Sequence, residues 1–180
     1  MTVLHEKTYA DALFQLAVED NSLEETYIEL NQISDIFIKN PDYLKVLCVP
    51  TVNAQDKLES LSKVFKGKIS DLVYNFLGVL IEKNRFSLIH KINSEFTDIY
   101  NDKNGILEVI ATTIKPLNQT IKEKLIKKLE LISSKKITLV EKIDPSILGG
   151  IVLSYKNTQI DASVKSKIDN MRAQIDSIIA

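Results

Sequence analysis

The feature that most constrains the fold of this chain of 180 residues is a change in the period of its hydrophobic residues near Gly105. Before that glycine, apolar residues recur every three or four positions, which is the period of a helix that buries one face. After it, short alternating runs rich in β-branched residues stand between two helical stretches, which is typical of strands. The sequence therefore predicts two domains, residues 1–105 and residues 106–180.

The first domain is predicted to be a bundle of six helices. Ser22 and Glu25 have the spacing of a capping box at the start of the second helix, and Gly67 is placed for a C-terminal cap of the fourth. The fifth helix is apolar on more than one face, which predicts a central position in the bundle. The predicted helices run over residues 5–19, from Ser22 to Asn40, through residues 43–47, over 54–66, from Ser70 through Ile81, and over 87–102.

The second domain is predicted to be smaller and to have the order β-α-β-β-α, so the fold class is mainly α with an α+β C-terminal part. A short fourth strand can return through Gln159 and Ile160, and Asp161 or Ser163 can cap the final helix. The other predicted elements are a strand over residues 106–113, a helix over 118–133, and strands over 137–143 and 147–155.

The two helices of the second domain each show an apolar stripe at helical spacing. The stripes are Ile121, Leu125, Leu129 and Ile132 in the first helix, and Val164, Ile168, Met171, Ile175 and Ile178 in the last. Each stripe is expected to be the face that the helix turns towards its neighbours.

Charges nearly cancel over the whole chain but not within its two parts. Lys plus Arg is 23 and Asp plus Glu is 24, a net charge of −1 that argues against a dedicated nucleic-acid binder. Residues 1–105 hold 11 basic and 16 acidic side chains, whereas residues 106–180 hold 12 and 8, so the balances are −5 and +4. The basic half keeps RNA binding, or another role as a protein-interaction adaptor, as the alternative function, although Tyr155 alone is a poor platform for stacking bases.

No catalytic or metal-binding motif is found in the sequence. His5 and His90 lack the spacing of zinc ligands on a helix, and Cys48 is the only thiol. Gly149-Gly150 precedes a predicted strand rather than a helix, so the pair indicates a bulge or a close backbone approach and not a phosphate loop. We therefore expect no enzyme activity, no cofactor and no metal; a hydrolase with an unrecognised site has only abundant carboxylates in its favour.

The sequence contains no run of 18 apolar residues, which predicts that the chain inserts no helix into a membrane. Its first residues lack the pattern of a signal or transit peptide, and a single cysteine cannot form an internal disulfide. The chain is therefore expected to act where it is made, in a reducing compartment.

Two segments resemble the δ subunit family of F-type ATP synthases, whose mitochondrial counterpart is the oligomycin-sensitivity-conferring protein. The first combines the run from Ile147 to Leu153, which contains Gly149-Gly150, with the run from Gln159 to Val164. The second is Tyr9-Ala10-Asp11-Ala12-Leu13 near the N-terminus, and residues 80–86 are similar to the end of the family's fifth helix. The resemblance covers essentially the whole chain.

The resemblance implies a non-catalytic stator subunit, present in one copy per complex, that resists rotational torque during ATP synthesis. The first domain would hold the N-terminal helix of an α subunit between its first and fifth helices, and the second would meet the b subunits of the peripheral stalk. Its implied location is the cytoplasmic face of a bacterial plasma membrane, or alternatively the stromal face of a thylakoid. By resemblance, the groove residues are Tyr9, Ala12, Leu13 and Val79, and the signature residues are Gly149, Gly150, Asp161 and Ser163.

Overall fold

The structure is a computed structural model that describes residues 3–147, 149–156 and 158–168. The chain divides into two compact units, Met1–Tyr100 and Asn101–Ala180. The predicted boundary after Gly105 lies just beyond the last helix of the first unit. The observed division falls earlier, so Asp102 belongs to the second unit, where it accepts a hydrogen bond from Lys156 Nζ at 2.8 Å and lies 4.0 Å from Lys135 Nζ.

The first unit is helical throughout its described residues. A 3₁₀ turn, Phe86–Leu88, precedes its last helix. The helices are α1 Val3–Glu19, α2 Leu23–Lys39, α3 Pro41–Cys48, α4 Ala54–Phe65, α5 Asp71–Glu82 and α6 Ile89–Lys103.

The helix ends agree only in part with the capping predictions. Gly67 has a φ of +75°, which fits a residue that ends a helix in the left-handed region. The predicted capping box at Ser22 is not formed, since its φ and ψ of −109° and 20° depart from the extended backbone of a capping residue and its side chain makes no cap hydrogen bond. The Ser22 hydroxyl is buried and has no partner among the described residues.

The core of the first unit is built around α5 and the buried rings of Phe37, Phe86 and Phe96. Val73, Leu77, Leu80 and Ile81 of α5 are all buried, and the helix contacts α1, α2 and α4, so the predicted central position is confirmed. Phe37 packs edge-on against Phe86, with ring centroids 5.2 Å apart. Because α5 touches α1, α2 and α4, its position fixes the faces that those helices leave outside.

The second unit contains a four-stranded sheet in the order β2-β1-β3-β4. β1 and β2 are parallel, whereas the β1–β3 and β3–β4 pairs are antiparallel. The elements are β1 Ile106–Thr113, α7 Gln119–Ser133, β2 Lys136–Ile143, β3 Gly150–Tyr155 and β4 Thr158–Ser163, and a further helix is described over 164–168.

The predicted order β-α-β-β-α leaves out the fourth strand, but the short strand expected through Gln159 and Ile160 is present in the structure. β4 is a full edge strand, paired with β3 from Thr158 opposite Tyr155 to Ser163 opposite Gly150. Ile160 is its only large apolar residue, so the alternation that predicts a strand is weak there, and backbone pairing defines it. In the predicted stripe of the last helix, Met171, Ile175 and Ile178 lie outside the described residues.

Helix α7 lies against β2 in an orientation that the apolar stripe did not predict. Lys122 Nζ donates to Glu141 Oε1 at 2.7 Å, and Ile137 N donates to Glu130 Oε1 at 3.5 Å. These contacts turn Lys122 and Glu130 towards the sheet. Of the predicted inner stripe, Leu125 and Leu129 are half-buried, whereas Ile121 and Ile132 are exposed.

Gly150 allows β4 to pair closely with β3. Its φ is +88°, and a Cβ built on it would lie 2.5 Å from the Ala162 carbonyl oxygen and 2.8 Å from the Ser163 Cα. Both neighbours are backbone atoms, which cannot rotate away as a side chain can. The glycine is therefore required for the register of this strand pair, as the sequence predicted for a close backbone approach.

We expect Gly150→Ala to lower the free energy of unfolding by at least about 2 kcal/mol, because the strand pair must separate to admit the methyl group. Gly105→Ala is the matched control, since Gly105 has a φ of +63° and no atom near its added Cβ. That control incurs only the left-handed backbone strain of roughly 1 kcal/mol. Urea unfolding measures both, and equal losses would show that the close approach is unimportant.

Candidate partner-binding face and C-terminal signature

Tyr9 is fixed at the place where α1 meets α5. Its ring packs edge-on against the Phe76 ring, with centroids 6.3 Å apart. Arg85, three residues beyond α5, donates from Nη1 to the Tyr9 hydroxyl at 3.1 Å, and its guanidinium lies 5.6 Å from the Tyr9 ring centroid. The ring is thus held from both sides, which sets the Tyr9 side chain in one orientation.

Beside Tyr9, the two helices present a partly open apolar surface. Val79 of α5 is 41% exposed, and Ala12 and Leu16 of α1 are exposed as well. We call Tyr9, Ala12, Leu16, Phe76 and Val79 the α1–α5 face. It combines aromatic rings with a small residue, which suits contact with the apolar side of another helix.

Leu13, a predicted groove residue, does not belong to the α1–α5 face, and neither does Gly78 of α5. Leu13 is 1% exposed and lies in the hydrophobic core, so it holds α1 in place and offers no surface to a partner. Gly78 is turned towards α4, since a Cβ at this position would lie 3.6 Å from Leu58 Cδ2. The small residue of α5 therefore serves packing inside the first unit.

Both helices of the face are anchored by side chains that the sequence analysis missed. The Glu29 carboxylate of α2 accepts from Ser70 N at 2.8 Å and from Ser70 Oγ at 2.6 Å, at the start of α5. Glu6 of α1 is buried and pairs with Lys91 of α6 at 3.0 Å. Partners 41 and 85 positions apart leave no local signal in a sequence.

The C-terminal signature joins the end of β4 to the helix that follows it. Asp161 accepts from Ser163 N at 2.8 Å and from Ser166 Oγ at 2.6 Å, while Ser163 Oγ accepts from Ser166 N at 3.3 Å. Val164 N donates to the Gly149 carbonyl at 3.0 Å. Ser163 therefore caps this helix, Asp161 holds the cap through the Ser163 N–H and the Ser166 hydroxyl, and Gly149 ties the start of the helix to the strand pair.

The hydrogen bonds at Asp161 also change the pKa of its carboxyl group. The Ser166 hydroxyl and then the Ser163 N–H donate to the carboxylate, and these bonds lower the pKa of Asp161 below the ordinary aspartate range. The charged form is therefore the one that the folded chain prefers at this position.

Residues able to do acid–base or metal chemistry are dispersed in the structure. Within the described residues, no group of three or more His, Cys, Asp or Glu side chains is placed to hold a metal ion. His90 Nδ1 shares a hydrogen bond of 2.9 Å with Ser34 Oγ, and burial raises the pKa of the Cys48 thiol. Each of these groups has an ordinary structural setting.

Over the same described ranges, no helix has both the length and the apolar character that crossing a membrane requires.

Comparison with known proteins identifies relatives over almost the whole chain. The family model for the ATP synthase delta (OSCP) subunit matches residues 6–175. The "ATP synthase subunit delta" of Clostridioides difficile (strain 630) is 33% identical over 173 residues, 96% of each chain. The protein of the same name from Clostridium perfringens (strain 13 / Type A) is 34% identical over 167 residues, 93% of each. A chain of the Toxoplasma gondii mitochondrial ATP synthase hexamer shares the fold, with a TM-score of 0.78, 23% identity and coverage of 94% of this chain and 96% of that one.

The Asp161 cap makes a prediction about stability and pH. Because its pKa is lowered on folding, its contribution is present above the unfolded pKa of about 3.9 and is lost as the pH falls through the folded value. Asp161→Asn should lower the free energy of unfolding at pH 7 and flatten its fall below about pH 4. Urea titrations at pH 7, 4 and 3 check this, with Asp98→Asn on α6 as control. An unchanged pH profile in Asp161→Asn would contradict the role of this carboxylate.

Proposed function

Because this chain belongs to the ATP synthase delta (OSCP) subunit family, we propose that it joins the catalytic head of an F-type ATP synthase to the peripheral stalk and resists rotational torque during ATP synthesis. Members of this family are non-catalytic components of the peripheral stalk, and the chain is one of them. The observation that carries the assignment is the family match over residues 6–175. The two units provide two separate sets of surfaces, which is what a connecting subunit needs.

The α1–α5 face is the proposed site for the head. Its occupant is the N-terminal segment of an α subunit, bound as an amphipathic helix whose apolar side covers Tyr9, Ala12 and Val79. Support comes from the partial exposure of Ala12 and Val79 beside a Tyr9 ring that is already fixed by Phe76 and Arg85. A surface ordered before binding costs less conformational entropy on association than a mobile one.

The second unit is the proposed site for the stalk, with the b subunits as its partners. The sequence from residue 106 onward carries a charge balance of +4, which favours an acidic partner surface. The two partners then meet surfaces of different character, apolar in the first unit and basic in the second.

The proposed mechanism is mechanical and involves no reaction at this chain. Torque on the head must be resisted by contacts that dissociate slowly and by elements that do not deform. A buried helix such as α5, anchored at its start by Glu29, supplies rigidity beneath the α1–α5 face. Slow dissociation comes from the apolar area that a docked helix buries.

The two delta subunits named above that are 33% and 34% identical to this chain come from bacteria, which favours the cytoplasmic face of a bacterial plasma membrane as the location. The stromal face of a plastid thylakoid is the alternative. In either case the chain is proposed to be peripheral to the membrane, to insert nothing into it, to bind no nucleic acid and to be present in one copy per complex.

A peptide of the cognate α subunit's N-terminus tests the proposed site in the first unit. We expect it to bind at tens of micromolar or tighter. Val79→Glu, and separately Ala12→Glu, should weaken binding at least about tenfold, because each places a carboxylate in an apolar contact. Fluorescence anisotropy with a labelled peptide measures the affinities.

Val64→Glu on α4 is the matched control, since Val64 is 37% exposed and Val79 is 41% exposed. This variant should bind as the unsubstituted chain does, and circular dichroism should show equal helicity in all three variants. Unchanged affinity in Val79→Glu and Ala12→Glu would place the site elsewhere, and no peptide binding at all would contradict the proposed partner of the first unit.

A further inference from the structure

The turn between α6 and β1 consists of an Asn-Gly pair, Asn104-Gly105, and the Asn104 side chain is exposed. Asparagine is one of the chemically labile residues of proteins. It loses its side-chain amide without an enzyme when the backbone nitrogen of the next residue attacks its side-chain carbonyl carbon. The attacking nitrogen must be able to leave its hydrogen bond, and the backbone must be able to bring the two atoms together.

Gly105 satisfies both conditions. Its N–H donates to the Asp102 carbonyl at 3.4 Å, which is longer than the usual range of about 2.7–3.2 Å for such a bond. A Cβ built on Gly105 would meet no atom within 4 Å, so the space around its backbone is open. Because glycine has no Cβ, its backbone also reaches conformations that are closed to other residues. The Gly105 nitrogen is therefore weakly held and can approach the Asn104 Cγ.

The same nitrogen is held more firmly after two other exposed asparagines in turns, Asn21 and Asn84. After the first, the Ser22 nitrogen donates to the Ala17 carbonyl at 2.9 Å. After the second, the Arg85 nitrogen donates to the Leu80 carbonyl at 2.8 Å. Each of these bonds closes the end of a helix, and each nitrogen belongs to a residue with a Cβ. These two asparagines therefore provide an internal comparison within the same chain.

The other asparagines that the structure describes are also less suited to this reaction. Asn40 precedes Pro41, whose nitrogen has no proton to lose. Asn53 and Asn118 directly precede α4 and α7, so the residue after each already has a helical backbone. Four more lie inside helices, where the next N–H donates within the helix: Asn31, Asn75, Asn93 and Asn101.

We propose that Asn104 is a site of spontaneous deamidation in the folded chain, with water as the only co-reactant. The Gly105 nitrogen loses its proton to the solvent and attacks the Asn104 Cγ. A C–N bond forms, the bond from Cγ to Nδ2 breaks, and ammonia leaves with a proton taken from water, which gives a five-membered succinimide ring. Water then adds to one of the two ring carbonyls and breaks its bond to nitrogen, which leaves aspartate or isoaspartate at position 104.

The modification acts at the start of β1. The Gly105 carbonyl accepts from Lys136 N at 3.0 Å, and the parallel pairing of β1 with β2 begins at the next residue, Ile106 opposite Lys136. Both products add a negative charge to the turn. In isoaspartate the main chain also runs through the side-chain carbons, so it is one carbon longer before Gly105. The longer main chain displaces the Gly105 carbonyl and weakens its bond to Lys136.

The site is tested by ageing the purified full chain at physiological temperature and neutral pH, followed by peptide mapping with mass spectrometry. Asn104 should be converted at least about tenfold faster than Asn21 and Asn84, because glycine leaves the attacking nitrogen unhindered. Electron-transfer fragmentation distinguishes isoaspartate from aspartate, and both products are expected.

Gly105→Ala is the control variant, because it keeps Asn104 and adds a Cβ next to the attacking nitrogen. Conversion of Asn104 in this variant should be slower at least about tenfold, and circular dichroism should show that the variant is folded. Conversion of Asn104 no faster than that of Asn21 and Asn84, or at the same rate in Gly105→Ala, would overturn the site.

The effect on β1 is measured separately by hydrogen exchange of the Lys136 amide. Exchange should be faster in the aged chain than in the fresh chain. Freshly purified Asn104→Asp adds the charge without lengthening the main chain, so its Lys136 amide should exchange as in the fresh chain. Equal exchange in aged and fresh chains would contradict the effect on β1, and equally fast exchange in Asn104→Asp and the aged chain would overturn the role of the added carbon.

Discussion

Burial of α5 on several sides is the constraint on which the first unit depends. Val73, Leu77, Leu80 and Ile81 are all removed from water, each at a typical gain of about 1.5–3 kcal/mol, so the helix cannot turn without exposing part of the core. Glu29 fixes its start through two hydrogen bonds to Ser70. With those residues inside, Val79, three positions after the Phe76 that packs on Tyr9 of α1, is left at the surface. The proposed binding face is therefore a consequence of how the core is packed.

The second unit depends on a different constraint, the close pairing of β3 and β4. Gly150 permits this pairing, and Gly149, Asp161 and Ser163 connect it to the start of the next helix through backbone and side-chain hydrogen bonds. These four signature residues shape backbone and caps rather than a reaction site. Residues that stabilise the fold in this way suit a non-catalytic subunit, and the family to which the chain belongs is non-catalytic.

The sequence predicted the features that depend on local periodicity. It did not predict the orientations that are set by contacts with residues distant in the chain. The helices, the central position of α5 and the capping of the last helix by Ser163 follow from patterns within a few residues. The rotation of α7 does not, because it is set by Glu141, which lies 19 positions beyond Lys122. In the same way, the resemblance groups Ala12 with Leu13, although only the structure shows that Ala12 is exposed and Leu13 is in the core.

We propose that one copy of this chain connects two partners through two units that carry different surfaces. Affinity purification of the tagged chain from its native membrane, followed by quantitative mass spectrometry, tests this connection. We expect recovery of the ATP synthase α and b subunits in a single complex, with one copy of the tagged chain in it. Recovery of neither subunit, or of α and b only in separate complexes, would contradict it.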